Sequence, residues 1–232
     1  MNHLILGILP YFTVIIFLVG IGYRFYIWIK APQPGAITLF PAPSGGADSF
    51  FAIVKESLLF PGLFKGDRFL WAAAWIFHVT LALIIIGHVR VFTDFPGLWA
   101  ALGINADSMS AISGGIAGVT ITICALLLIV RRLAILRVRE ISSFSDFMIM
   151  LLIMAILATG NAMRFGEHFD LNMTRSYFSA LATFSLTSSL MPANQMFTLH
   201  FFLAQILIMF IPFSKILHFG GIFFTQTIIK KA

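Results

Sequence analysis

Four histidines carry most of the chemistry available to this sequence. His78 and His88 lie ten residues apart in one apolar stretch, and His200 and His218 lie eighteen apart in another. In an apolar environment an imidazole is a hydrogen-bonded core residue, a proton relay, or a transition-metal ligand through its neutral ring nitrogen. An ionisable residue inside a membrane span is expensive and marks a functional site by default. Two stretches with two histidines each supply what two bis-histidine irons need, since each iron takes two axial nitrogens. His3 and His168 fall in terminal or loop positions and read as solvated. The one cysteine, Cys124, excludes an internal disulfide, a cysteine-held iron–sulfur cluster and a Cys-x-x-Cys-His attachment within the chain. Any haem is therefore expected to be held non-covalently, as haem b.

The elements that position these residues follow from composition. Of 232 residues, 59% are hydrophobic and only 10% charged, whereas soluble domains carry roughly a quarter charged residues. A hydrocarbon core about 30 Å thick needs about 20 helical residues. Five segments reach that length, near Leu4 to Ile29, Phe69 to Val91, Ser110 to Val130, Phe147 to Met163 and Phe197 to Leu217. The expected fold is an all-α membrane protein, a bundle of five transmembrane helices forming one domain over residues 1–232. Met1 to Tyr23 lacks a basic start and a small-residue cleavage site, so it reads as a retained first helix. With the N-terminus outside and the C-terminus cytoplasmic, only Arg90, Arg164 and Arg175 face outward. The other basic residues, including the loop with Arg131, Arg132, Arg137 and Arg139, then lie inside. Topology thus accounts for the net charge of +6, and no nucleic-acid partner is required.

Antiparallel helices set the histidine pairs. The second helix runs outward and the fifth inward, so His78 meets His218 near the inner face and His88 meets His200 near the outer face. The spacings differ, since ten residues rise about 15 Å and eighteen about 27 Å along a helix. A kink at Pro212 absorbs part of the difference. The cytoplasmic loop 31–67 opens with Pro32, Pro34, Pro41 and Pro43, and Ser49 to Phe60 has the pattern of a short surface helix. This loop is either a plain connector or a docking surface.

At these residues the sequence resembles the gamma subunit of respiratory nitrate reductase. The carriers are Phe77-His78 with Gly87-His88 ten residues on, and the eighteen-residue gap from His200 to His218 with Pro212-Phe213-Ser214 before the last histidine. Ser113-Gly114-Gly115-Ile116-Ala117-Gly118 and Arg131-Arg132-Leu133 followed by Arg137-Val138-Arg139 extend the match. The resemblance covers most of the chain from about Phe69 onward. It implies two b haems with the same ligand pairs, an Arg132 contact to a propionate of the inner haem, quinone exchange near the outer haem, and a cytoplasmic partner holding iron–sulfur clusters. One departure is local: the family's basic residue before the third helix is replaced by Asn105-Ala106-Asp107. The proline-rich loop, with Phe64, Arg68 and Trp71 leading into the second helix, is more similar to two other membrane cytochromes. These are the subunits of the sulfite-reduction-associated complex and of membrane heterodisulfide reductase.

The expected function is that of a membrane cytochrome b in a respiratory complex of a prokaryotic cell membrane. It would pass electrons between menaquinone and a cytoplasmic iron–sulfur subunit, with further subunits that include the outer face. The quinone is expected beside the outer pair, near Gly87, Arg90, Asp94 and Asp107. Two rivals predict no haem absorbance: a proton-coupled transporter using the intramembrane histidines, and a structural anchor. Small residues at Gly114 and Gly118 let a helix or a haem face approach closely.

Overall fold

The computed structural model describes residues 2–32, 44–166, 170–218, 220, 221 and 224. Pro34, Pro41, Pro43 and His168 lie outside the described residues. Every regular element among the described residues is helical. A π-helical entry, His3–Ile8, leads into α1 (Leu9–Lys30); α2 (Gly46–Leu59) and α3 (Pro61–Gly66) precede α4 (Arg68–His88). Then come α5 (Pro96–Leu102), α6 (Ala106–Ala134), α7 (Leu136–Glu140), α8 (Phe144–Phe165), α9 (Leu171–Ala182) and α10 (Gln195–Phe210). Five helical stretches are long and apolar enough to cross a membrane: His3–Lys30, Arg68–Val91, Ala106–Ala134, Phe144–Phe165 and Gln195–Phe213. Val19, Leu83, Ile86 and Ile112 on these stretches are each more than half exposed. Helices that present such side chains outward, with their backbone groups satisfied internally, suit lipid rather than water. The chain is an all-α, five-span membrane protein.

Local chemistry sets the helix ends. Asn105 caps α6 by accepting from the backbone N–H groups of Asp107 and Ser108 at 3.0 and 2.9 Å. Ser143 and Asp146 form a capping box at the start of α8. Both caps make these spans longer than apolarity alone predicts. Pro61 disfavours the right-handed helical conformation at Phe60. Phe60 instead sits in the left-handed region, at φ 49°, and α2 ends there.

The chain divides into two compact units, residues 1–12 with 76–207 and residues 13–75 with 208–232. In the first, Leu6, Tyr177, Leu181 and Phe197 form a buried cluster. The π-helical entry leaves carbonyls to be satisfied from elsewhere. The Tyr177 hydroxyl donates to Leu6 O at 2.6 Å, and Gln205 Nε2 donates to Ile5 O at 3.2 Å. Losing a bond of the Tyr177 kind strands a buried carbonyl and costs about 1–3 kcal/mol. Also in this unit, α6 packs on α8 through its glycines. Asn161 Nδ2 donates to Gly118 O at 3.2 Å and to Thr122 Oγ1 at 3.0 Å.

In the second unit, two indoles join α2 to the start of α4. Trp71 Nε1 donates to Leu59 O at 2.8 Å and Trp75 Nε1 to Leu58 O at 2.9 Å. These bonds satisfy carbonyls at the end of α2 that have no intrahelical partner. Gly20 admits Pro212 so closely that a Cβ there would lie 2.7 Å from the proline Cβ. The expected kink at Pro212 is a full break. Helix α10 stops at Phe210, a 3-10 turn covers Ile211–Phe213, and Ser214 is extended before a second turn, Lys215–Leu217. Proline lacks the N–H that would continue the helix.

Candidate functional site

His88 ends α4 and His200 lies in the second turn of α10, and their rings face each other. The ring centroids are 6.4 Å apart and the planes differ by 12°. Two imidazoles that each place a nitrogen about 2 Å from one metal, on opposite sides, have centroids about 6 Å apart. The tautomers suit the same role. His88 Nδ1 lies 2.7 Å from Ile84 O, and a carbonyl only accepts, so Nδ1 carries the proton. His200 Nδ1 lies 3.1 Å from Ile156 O and 3.0 Å from Thr159 Oγ1, with the same consequence. Each ring therefore presents Nε2 as its lone-pair nitrogen. Metal-ligating histidines are held in this way, by a second hydrogen bond from the other ring nitrogen to a carbonyl. The donor set, its separation and its tautomers fit an axially ligated haem iron.

Helix α8 makes the pocket wall behind His200. A Cβ on Gly160 would lie 3.2 Å from His200 Cε1, so any larger residue there would press on the ring. Neither Gly160 nor Thr159 was a sequence candidate. The signal present was a threonine–glycine pair inside an apolar span, which has many readings when the partner helix is unknown.

The other two histidines are found in different units and are described separately. His78 lies in mid-α4, half-buried and edge-on to Phe77 with ring centroids 5.4 Å apart. His218 follows the break after Pro212, and its Nδ1 lies 3.0 Å from Lys215 O, the same hydrogen-bonding pattern as in the first pair. Gly87 faces open space, with no atom within 4 Å of the position of a Cβ. Arg132 reaches Ser142 Oγ at 3.0 Å and lies 3.6 Å from the buried Asp146 carboxylate.

Arg90, Asp94 and Asp107 are brought together, with Arg175 as a fourth member. Arg90 Nε and Nη2 donate to Asp94 at 3.1 and 2.9 Å, Nη2 to Asp107 Oδ1 at 2.8 Å, and Nη1 to Ala106 O at 3.0 Å. Arg175 donates to Asp94 Oδ2 and to Arg90 O, each at 2.8 Å, and Trp99 Nε1 reaches Asp94 Oδ1 at 3.2 Å. Asp94 is thus the hub, joining the turn after α4 to α5 and α9. The hydrogen bonds from Arg90 and Arg175 hold its carboxyl well below its ordinary value of 3.8. A depressed carboxylate stabilises the fold fully above that ordinary value and loses the contribution as pH falls below it. Asp94 therefore stays ionised at neutral pH.

Apolar spans with facing, carbonyl-anchored histidines fit a membrane protein of the cytochrome b-like, electron-transport class. The family model described as nitrate reductase gamma subunit matches residues 62–227, and the chain belongs to that family. A protein of Archaeoglobus fulgidus named Hdr-like menaquinol oxidoreductase cytochrome b-like subunit is 29% identical, over 95% of this chain and 77% of its own length. Its namesake from Archaeoglobus profundus is 30% identical, over 94% and 76%. The nitrate reductase gamma chain of Bacillus subtilis is 27% identical, over 94% and 90%. With five apolar spans and such relatives, this is a multi-pass protein of a prokaryotic cell membrane.

Proposed function

We propose that the chain is the dihaem cytochrome b subunit of a respiratory complex, transferring electrons between a menaquinone pool and a cytoplasmic iron–sulfur subunit. The observation that carries this is the His88–His200 pair, 6.4 Å between ring centroids with both Nδ1 atoms set against carbonyls. The menaquinone assignment is supported by the name of the Archaeoglobus relatives. His88 and His200 hold the outer haem, and His78 and His218 the inner one, in the pairing that antiparallel spans require. Haem b, when bound, supplies one-electron transfer at a potential set by its axial ligands, burial and nearby charge. The chain's residues do the rest. Ile84 O, Ile156 O and Thr159 fix the ring orientations, Gly160 admits the His200 ring, and the apolar spans exclude water.

The purified protein is expected to be red, with about two haems b per chain. The check is a pyridine haemochrome assay with a reduced-minus-oxidised spectrum. A proton-coupled transporter would give no haem absorbance, and a value near zero in protein from a haem-competent host rejects the proposal.

The partner is assigned to the inner face, at loop 31–67 and at the loop with Arg131, Arg132, Arg137 and Arg139. The indole bonds from Trp71 and Trp75 support this, because they anchor α2 as an ordered surface element rather than a slack connector. Cross-linking of the intact complex is expected to join the iron–sulfur subunit to Lys55 or Lys65 on this loop. Cross-links that map only to the opposite face would reject the assignment.

A further inference from the structure

Helix α8 carries three polar side chains within two turns of an otherwise apolar span: Thr159, Asn161 and Arg164. Two have partners. Thr159 meets His200, and Asn161 meets Gly118 O and Thr122. Arg164 makes no hydrogen bond or ion pair among the described residues. The residue is exposed, and its guanidinium lies against Gly114 of α6, where a Cβ would fall 2.5 Å from Nη2 and 2.9 Å from Cζ. An arginine in the last turn of an apolar span calls for a named partner, and the register of α8 indicates the side from which that partner would come. Successive helical residues turn by about 100°. Arg164 therefore points about 40° from the direction of Gly160, which faces His200, and about 60° from that of Asn161, which faces α6. It is directed between the His200 ring and α6. It also stands one turn, about 6 Å, beyond Gly160 along the span.

We propose that Arg164 is a haem-binding residue, its guanidinium pairing with a propionate carboxylate of the haem held by His88 and His200. The inference rests on the haem reading above. Guanidinium is the side chain best matched to a carboxylate, because its planar fork donates two parallel hydrogen bonds. Gly114 then has a role besides helix packing, since its missing side chain leaves room for the guanidinium against α6. The plain alternative is an arginine that extends toward lipid phosphate at the end of its span.

The test is a potentiometric titration of both haems in membranes, in wild type, Arg164→Gln, Arg164→Lys and Gly114→Ala. Removing the cation leaves the carboxylate uncompensated beside the iron, which favours the ferric state. In Arg164→Gln the outer-haem potential is expected to fall by the equivalent of about three- to tenfold in the reduction equilibrium, tenfold being 59 mV for one electron. The inner-haem potential should stay in place. Arg164→Lys keeps the charge and should lie between wild type and Gln, and Gly114→Ala should shift in the same direction as Gln. If both haems are present and Arg164→Gln leaves the outer potential unchanged, or if Lys and Gln shift it equally, Arg164 does not bind the propionate. Absence of haem from the wild type would instead reject the haem reading itself.

Discussion

His88→Ala and His200→Ala are each expected to remove the same half of the haem spectrum, and His78→Ala and His218→Ala the other half. An iron held by two imidazoles in an apolar site loses affinity when either is cut back to a methyl group, because half of its axial nitrogen donors is gone. Haem content in each single variant should fall from about two per chain to about one. The geometry supports the first pair directly, with facing rings and the proton of each Nδ1 committed to a carbonyl. For the second pair the support is topological, with His78 near the middle of α4, His88 at its end and His218 beyond the break after Pro212. Low-temperature spectra of the four variants distinguish the pairings. If His78→Ala and His88→Ala erased one component and spared the other, the antiparallel pairing would be wrong.

How far the sequence reached depended on how local the governing physics was. All five spans are legible, because twenty apolar residues have few alternatives to a membrane helix. Their ends are less so. Ala106–Ala134 and Phe144–Phe165 exceed their expected lengths because Asn105 and the Ser143–Asp146 box extend them past the apolar core. Helix α9 escaped notice, since it is short and amphipathic, and its start is marked only by the Asp170 cap. The pattern from Ser49 to Phe60 predicts a short surface helix, and α2 spans Gly46–Leu59. Among the site residues, His88 and His200 were visible because charge-bearing groups in apolar spans are rare. Gly160 and Arg175 were not, because each acts on a residue far away in sequence: Gly160 on His200, and Arg175 on Asp94. Gly114 and Gly118 read as a packing motif, and they are one, but what they admit is the polar side chains Arg164 and Asn161 of α8.

Quinol-driven reduction is expected to fall about 100-fold in Asp107→Asn, the size of effect typical of losing a general base, with haem content unchanged. Oxidising a quinol releases two protons as well as two electrons, so a proton acceptor with access to water is needed near its hydroxyls. Asp94 is poorly placed for this work, since Arg90 and Arg175 hold its carboxyl well below the ordinary range and Trp99 also donates to it. Its role is to join the turn after α4 to α5 and α9. Asp94→Ala should therefore destabilise the protein by about 2–4 kcal/mol, as expected for donors to a charged acceptor left without it. Asp107 differs: its side chain is 85% exposed, and one oxygen, Oδ1, is held 2.8 Å from Arg90 Nη2. That contact fixes the carboxylate at the start of α6 while leaving it open to water and to a ligand. Arg90, with its side chain only 11% exposed, positions Asp107, so Arg90→Ala should weaken inhibitor binding as well as slow turnover. The measurement is reduction of the haems by a menaquinol analogue in membranes, with and without a quinone-site inhibitor. Unchanged rates and inhibitor sensitivity in both Asp107→Asn and Arg90→Ala, together with loss of both on a substitution beside His78, would move the quinone to the inner face.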